Sequence, residues 1–159
     1  MPPEVVNRPY DAVCIVMAED DEDDALLARE ALAESRVTNR LVVVSDGAEL
    51  MDYLQHRGAY ADPASAPRPG LILLDLNMPR MDGREALAAI KADPGLRRIP
   101  VVVLTTSDAE EDIIRTYDIG ASGYITKPVT FEGLTRVMES LGNYWLQIVH
   151  LPPGIAGNR

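Results

Sequence analysis

Asp75 follows an unbroken apolar run, Leu71-Ile72-Leu73-Leu74. A short run of this kind reads as a strand covered on both faces. A carboxylate at its carboxyl end would sit on the sheet edge where open α/β sheets bind ligands. Three more apolar runs end in polar groups. Ala12–Ala18 runs into Glu19-Asp20, Val101–Leu104 into Thr105, and the short Gly123-Tyr124-Ile125-Thr126 into Lys127. If the strands are parallel, all these ends share one edge. Three close carboxylates repel one another and call for a cation, and oxygen ligands suit Mg²⁺ or Mn²⁺. A bound divalent ion would keep Asp75 ionised and neutralise an arriving phosphoryl group, whose other oxygens Lys127 and Thr105 could hold. The chemistry is then an aspartyl phosphate on Asp75.

Each residue also has a structural use. An Asp after a strand often closes a turn or caps a helix. Glu19 and Asp20 could simply open an acidic helix start. Thr105 could be an N-cap, and Lys127 a solvated surface residue. Whether the strand ends converge depends on strand order, which these spacings leave open. A His or Cys nucleophile has little support: His56 lies near a loop, His150 in the tail, and Cys14 inside an apolar run.

The elements that must position these groups alternate. After the first strand, a helix starts within the acidic run 19–24 and extends to about Ser35, with Leu26, Leu27, Ala31 and Leu32 as its expected buried face. Leu41–Val44 is a second strand. Asp46 and Glu49 form a capping-box-like pair before a helix with Leu50, Tyr53 and Leu54. Residues 58–70 form a Pro/Ala/Ser loop longer than an ordinary connection. After the Asp75 strand, Asp82 and Glu85 repeat the capping pattern before a helix with Leu87 and Ile90, which Asp93-Pro94-Gly95 stops. Ser107 and Glu110 suggest another capping box, ahead of a helix carrying Ile113, Ile114 and Tyr117 and ended by Gly120. The last helix is expected from about Thr130 to Gln147, with Leu134, Val137, Met138, Leu141, Trp145 and Ile148 at helical spacing. Strand and helix repeated five times imply a parallel sheet with helices on both faces.

Composition bounds the rest. A chain of 159 residues, 47% apolar and 25% charged, suits one soluble domain. A net charge of -10 argues against a nucleic-acid surface. The single cysteine favours a reducing compartment. There is neither a run of membrane-spanning length nor a signal peptide, so a cytoplasmic protein is expected. Residues 1–10 read as a loose leader, 11–141 as the domain, and 142–159 as an extension of the last helix and a tail.

Taken together, the motifs resemble the receiver domain of bacterial two-component response regulators. The matching pieces are Glu19-Asp20, Asp75-Leu76-Asn77-Met78-Pro79-Arg80-Met81-Asp82-Gly83, Thr105, and Gly120-Ala121-Ser122-Gly123-Tyr124 leading to Lys127-Pro128. The resemblance implies a flavodoxin-like (βα)₅ doubly wound sheet of strand order 2-1-3-4-5. It implies Asp75 as phosphoacceptor, with Asp20, Glu19 (largely through water), Asp75 and the Asn77 backbone carbonyl as Mg²⁺ ligands. Thr105 and Lys127 would hold the phosphoryl group, Tyr124 would be the aromatic switch, and Lys127-Pro128 would be cis. Two positions depart from the family pattern: Glu19 stands where Asp is commoner, and Thr106 where Ala, Gly or Ser is usual.

The long loop 58–70, the run Ile99–Ser107, and Tyr144-Trp145-Leu146 with Leu151-Pro152 resemble small response regulators that partner phytochrome histidine kinases. The expected function is therefore a stand-alone receiver. It would take its phosphoryl group from a sensor histidine kinase, a phytochrome kinase by this resemblance, and signal by protein contacts without being a turnover enzyme. The apolar residues from Trp145 to Leu151 suggest a homodimer through the last helix and tail. The competing readings are a pseudo-receiver that only binds a partner and a phosphohydrolase of the haloacid-dehalogenase type. The latter needs a second Asp two residues after the nucleophile, where this chain has Asn77.

Overall fold

The five apolar runs form five parallel strands in the order expected. In the computed structural model, which describes residues 14–35 and 39–144, these are β1 (Cys14–Ala18), β2 (Leu41–Val44), β3 (Pro69–Leu74), β4 (Val101–Thr105) and β5 (Gly123–Thr126). The sheet order is β2-β1-β3-β4-β5, and all four pairings are parallel. The helices are α1 (Glu22–Glu34), α2 (Gly47–Leu54), α3 (Gly83–Ala92), α4 (Glu110–Ile119) and α5 (Phe131–Asn143). A 3-10 turn, Gly58–Tyr60, lies in the long loop before β3.

The unbroken apolar runs are explained by two cores, one on each face of the sheet. Val16, Ile72, Leu74, Val101 and Val103 point to the face covered by α2 and α3, where Leu50, Tyr53, Leu87 and Ile90 are buried. Their sequence neighbours Ile15, Met17, Leu71, Leu73, Val102 and Leu104 point to the other face, against Ala28, Ala31 and Leu32 of α1 and Met138 and Leu141 of α5. The period of two along each strand thus places alternate residues in different cores.

Four helices begin at a side-chain cap. Asp21, Asp46, Asp82 and Thr130 accept backbone N–H groups of α1, α2, α3 and α5, each such cap being worth about 1 kcal/mol. The Asp46–Glu49 box is shifted by one residue, because Glu49 accepts from the N–H of Ser45.

The structure corrects three helix expectations. The buried stripe of α1 is Ala28, Ala31 and Leu32, at i, i+3 and i+4, while Leu26 (55% exposed) and Leu27 (40%) face outward. The small alanines let α1 lie close to the sheet. Ser107 does not cap α4. The helix starts at Glu110 after Ala109, without a side-chain cap, and the Ser107 hydroxyl donates to Asp112 Oδ2 at 2.7 Å. Its inward residue is Thr116, whose hydroxyl bonds back to the Asp112 carbonyl, whereas Ile114 and Tyr117 are exposed. Trp145, Ile148 and the expected end of the last helix at Gln147 lie outside the described residues. Among the described residues no helix is long and apolar enough to cross a membrane.

Candidate functional site

The strand order places β1 and β3 side by side, so Glu19 and Asp75 leave the sheet as neighbours. Backbone pairing continues past the strand ends: Asp75 N–H donates to Ala18 O at 3.1 Å and Glu19 N–H to Val44 O at 2.9 Å. The carboxylates are therefore delivered by the sheet rather than by loops. Gly83 completes the support. Its N–H bonds Leu76 O at 2.9 Å, and a Cβ there would lie 2.1 Å from Asp75 O. Only glycine allows α3 to begin this close to the Asp75 backbone.

Asp75 is held through both oxygens. Thr105, fully buried at the end of β4, donates its hydroxyl to Asp75 Oδ1 at 2.8 Å. The Asn77 N–H reaches the same oxygen at 3.4 Å. Lys127 Nζ stands 3.1 Å from Oδ2. Lys127 is brought there because its N–H donates to Thr105 O at 2.7 Å, one residue beyond β5. Its ammonium also bonds Glu19 Oε1 and, at 3.1 Å, Asp24 Oδ2.

One carboxylate oxygen from each of Glu19, Asp20 and Asp75 lies within 4.8 Å of the other two. Two oxygens on one Mg²⁺ or Mn²⁺ are at most about 4.2 Å apart, twice a metal–oxygen distance of about 2.1 Å, so a small side-chain rotation closes the set. The donors are all hard oxygens, and Asp20 is exposed while Glu19 and Asp75 are buried. A site with one open side and such donors fits a divalent cation that keeps part of its water shell.

The electrostatics point the same way. Burial raises the Glu19 carboxyl to about 7, against the opposing pull of Lys127. For Lys127, burial works against the ammonium, but its bonds and proximity to Glu19 and Asp75 outweigh it and hold the group charged above the usual lysine range. One ammonium thus faces Glu19, Asp24 and Asp75, and the cluster keeps excess negative charge.

The structure brings Glu19, Asp20, Asp75, Thr105 and Lys127 together as the sequence suggests. Tyr124 lies apart, on β5, its hydroxyl donating to Ser107 O at 2.8 Å. Lys127-Pro128 is trans, not cis: no cis peptide occurs among the described residues. The trans form is favoured by about 0.5–1 kcal/mol in such bonds, and with it Lys127 already reaches both Thr105 and the carboxylates.

Sequence reasoning missed several partners. Asp24, which bonds Lys127, is one of many acids at the start of α1, and nothing in the local sequence singles it out. Arg84 bonds Asp112 Oδ1 through Nη2 at 2.7 Å and Nε at 3.1 Å, joining α3 to the Ser107–Tyr124 pair. Arg80 bonds Asp46 across the end of the sheet. Nothing in the local sequence announces either pairing.

The doubly wound sheet thus carries a carboxylate trio, a hydroxyl and an ammonium together at its carboxyl edge. The response regulator receiver domain family matches residues 15–139, and the chain belongs to that family. Response regulator Rcp1 of Synechocystis sp. is 44% identical over 138 residues, 87% of this chain and 92% of that protein. The crystal structure of its Mn²⁺-bound form superposes with a TM-score of 0.79 at 43% identity, covering 88% of this chain and 99% of that one. The phosphorylated cyanobacterial phytochrome response regulator RcpA gives 0.82 at 48% identity, covering 89% and 99%. The bacteriophytochrome response regulator RtBRR gives 0.72 at 37%, covering 91% and 86%. The chain is thus a two-component receiver whose likeness runs to phytochrome response regulators.

Proposed function

We propose that Asp75 accepts a phosphoryl group from the phosphohistidine of a sensor histidine kinase. The observation that carries this reading is the contact set of Asp75, with one oxygen on the Thr105 hydroxyl and the other on the Lys127 ammonium. An Asp75 oxygen attacks phosphorus in line, the P–N bond to histidine breaks, and the nitrogen regains its lone pair. Lys127 and Thr105 then bind oxygens of the transferred group. Glu19, Asp20, Asp75 and the Asn77 backbone carbonyl would hold the divalent ion, Mg²⁺ by this reading, which supplies charge neutralisation for the transfer.

As Thr105 moves onto the phosphoryl group, the 105–107 segment shifts and the Tyr124–Ser107 bond is released. Tyr124 then turns inward and changes the surface of α4, β5 and α5. This is a population shift between two states. The domain carries the group and hydrolyses it slowly; it does not turn over free substrate. Residues 11–141 are the functional unit.

The likeness to the phytochrome response regulator RcpA supports a kinase of the phytochrome type, and membership of the receiver family fits a cytoplasmic site of action. Homodimerisation through α5 and the following tail is supported by the exposed apolar side of Tyr144 beside Ile125, Val137 and Leu141. Incubation with a small phosphodonor and Mg²⁺, followed by intact-mass measurement, tests the central claim. Wild type should gain one phosphoryl group and Asp75→Asn none. No gain in either protein would indicate a module that only binds a partner.

A further inference from the structure

The loop between β3 and α3 carries Asn77, whose backbone carbonyl is the non-carboxylate metal ligand in the receiver reading on which this inference rests. Both ends of the loop are fixed. Asn77 N–H points to Asp75 Oδ1, and Gly83 N–H bonds Leu76 O. Its middle contains Arg80 with φ of 63°, a left-handed conformation that a residue with a Cβ adopts only when its surroundings hold it there.

The hold is visible. Arg80 Nε donates to Asp46 Oδ2 at 2.7 Å and Nη2 to Oδ1 at 3.0 Å. Such a fork-on-fork pair fixes direction as well as distance. Asp46 is itself immobilised, because it is buried and caps α2 by accepting Glu49 N–H at 2.8 Å. A second tether lies alongside: Gly47 N–H donates to Met81 O at 2.9 Å, and a Cβ on Gly47 would come within 2.4 Å of that oxygen. The corner that carries Asp46 is also bound to the other half of the cation site, through Glu19 N–H to Val44 O. A continuous set of bonds therefore runs from the acid pair through the end of β2 and the Asp46–Arg80 fork to the loop that bears Asn77.

We propose that Asp46 and Arg80 are positioning residues for the cation site: their paired bonds set the loop bearing Asn77 against the acid pair Glu19–Asp20 and so preorganise the site for a divalent ion. With the Arg80 side chain 66% exposed, solvent screens the fork and its contribution to stability is small. Its role lies in geometry, as for the outer partners of metal ligands generally, whose loss costs about tenfold or more in affinity.

Charge alone makes the opposite prediction for one of the two residues. Arg80 is a cation near a cation site, so its removal should tighten metal binding if only through-space charge matters. Positioning predicts weakening instead. The test is calorimetric titration of the full chain with MgCl₂ and with MnCl₂. Arg80→Ala should weaken both ions about tenfold, and Arg80→Lys, which cannot form the fork, should weaken them less. Asp46→Asn keeps an N-cap and should also weaken binding. The double variant should be no worse than the weaker single one, because both remove the same contact. Melting in EDTA should change little for Arg80→Lys and Asp46→Asn, which carry the test if Arg80→Ala fails to fold. Unchanged or tighter binding by the Arg80 variants would overturn the proposal. Failure of wild type to bind either ion would overturn the receiver reading, and the clamp with it.

Discussion

Lys127 Nζ stands 3.1 Å from Asp75 Oδ2 while also bonding Glu19 and Asp24. One ammonium thus competes with a divalent ion for the same carboxylates, while it would neutralise the charge of a phosphoryl group on Asp75. Lys127→Ala should separate these roles. Removing a cation that bonds the same carboxylates should tighten Mg²⁺ binding by about tenfold or more, since unit charges about 4 Å apart interact by about 1 kcal/mol even in water and a divalent ion doubles it. The same change should slow phosphorylation from a small donor by about a hundredfold, because the developing charge loses a fixed partner. Calorimetry and time-resolved intact mass on one preparation check both signs.

The position of Glu19 predicts an unusual pH dependence for the metal-free protein. Burial raises its carboxyl from an ordinary value to about 7, so the folded state binds a proton that the unfolded chain releases near 4.5. A raised acid contributes stability that is fully present below the unfolded value and lost as pH rises through the folded one. In EDTA, urea midpoints should therefore fall between about pH 5 and pH 8, and Glu19→Gln should flatten that fall. Mg²⁺ at saturation should oppose it, since the ion favours the ionised carboxylate and its binding displaces the proton.

Gly83 tests how tightly the fold supports the site. A Cβ there would meet Asp75 O at 2.1 Å and Leu76 Cα at 2.8 Å. Both neighbours are backbone, so the start of α3 must move away from the strand that carries Asp75. Gly83→Ala should cost about 3 kcal/mol in urea unfolding, at the upper end for overpacking, although alanine is the better helix former. The surviving folded fraction should also bind Mn²⁺ more weakly, as Asp75 is displaced.

The path from Asp75 outward shows what could be read from the chain and what could not. Apolar runs ending in Glu19, Asp75 and Thr105 were legible because strands buried on both faces leave only their ends free to be polar. Strand order was not legible from those runs; it came with the resemblance. The failures occur where side chains meet across elements. Asp24, Arg80 and Arg84 are ordinary surface types, and only the folded chain places them on Lys127, Asp46 and Asp112. Ser107 had the spacing of a helix cap, yet its hydroxyl bonds the side chain of Asp112 instead. Likewise, Leu26 and Leu27 fit a helical face by type, but the sheet takes the smaller Ala28 and Ala31.

Thr106 offers a prediction about how long the signal lasts. It follows the buried Thr105, whose hydroxyl bonds Asp75, but is itself exposed. If its branched side chain takes space that smaller residues would leave to a phosphodonor or to an attacking water, removing it opens the site. Thr106→Ala should therefore speed phosphorylation by a small donor and shorten the lifetime of the phosphorylated form. Both effects share one cause, access, so the two rates should move in the same direction. Thr105, whose bond to Asp75 is made on the inward side, should be unaffected, and metal affinity should not change. Decay of the phosphorylated protein, followed by intact mass after donor removal, measures the second rate directly. Equal rates in Thr106→Ala and wild type would show that the side chain does not restrict the site.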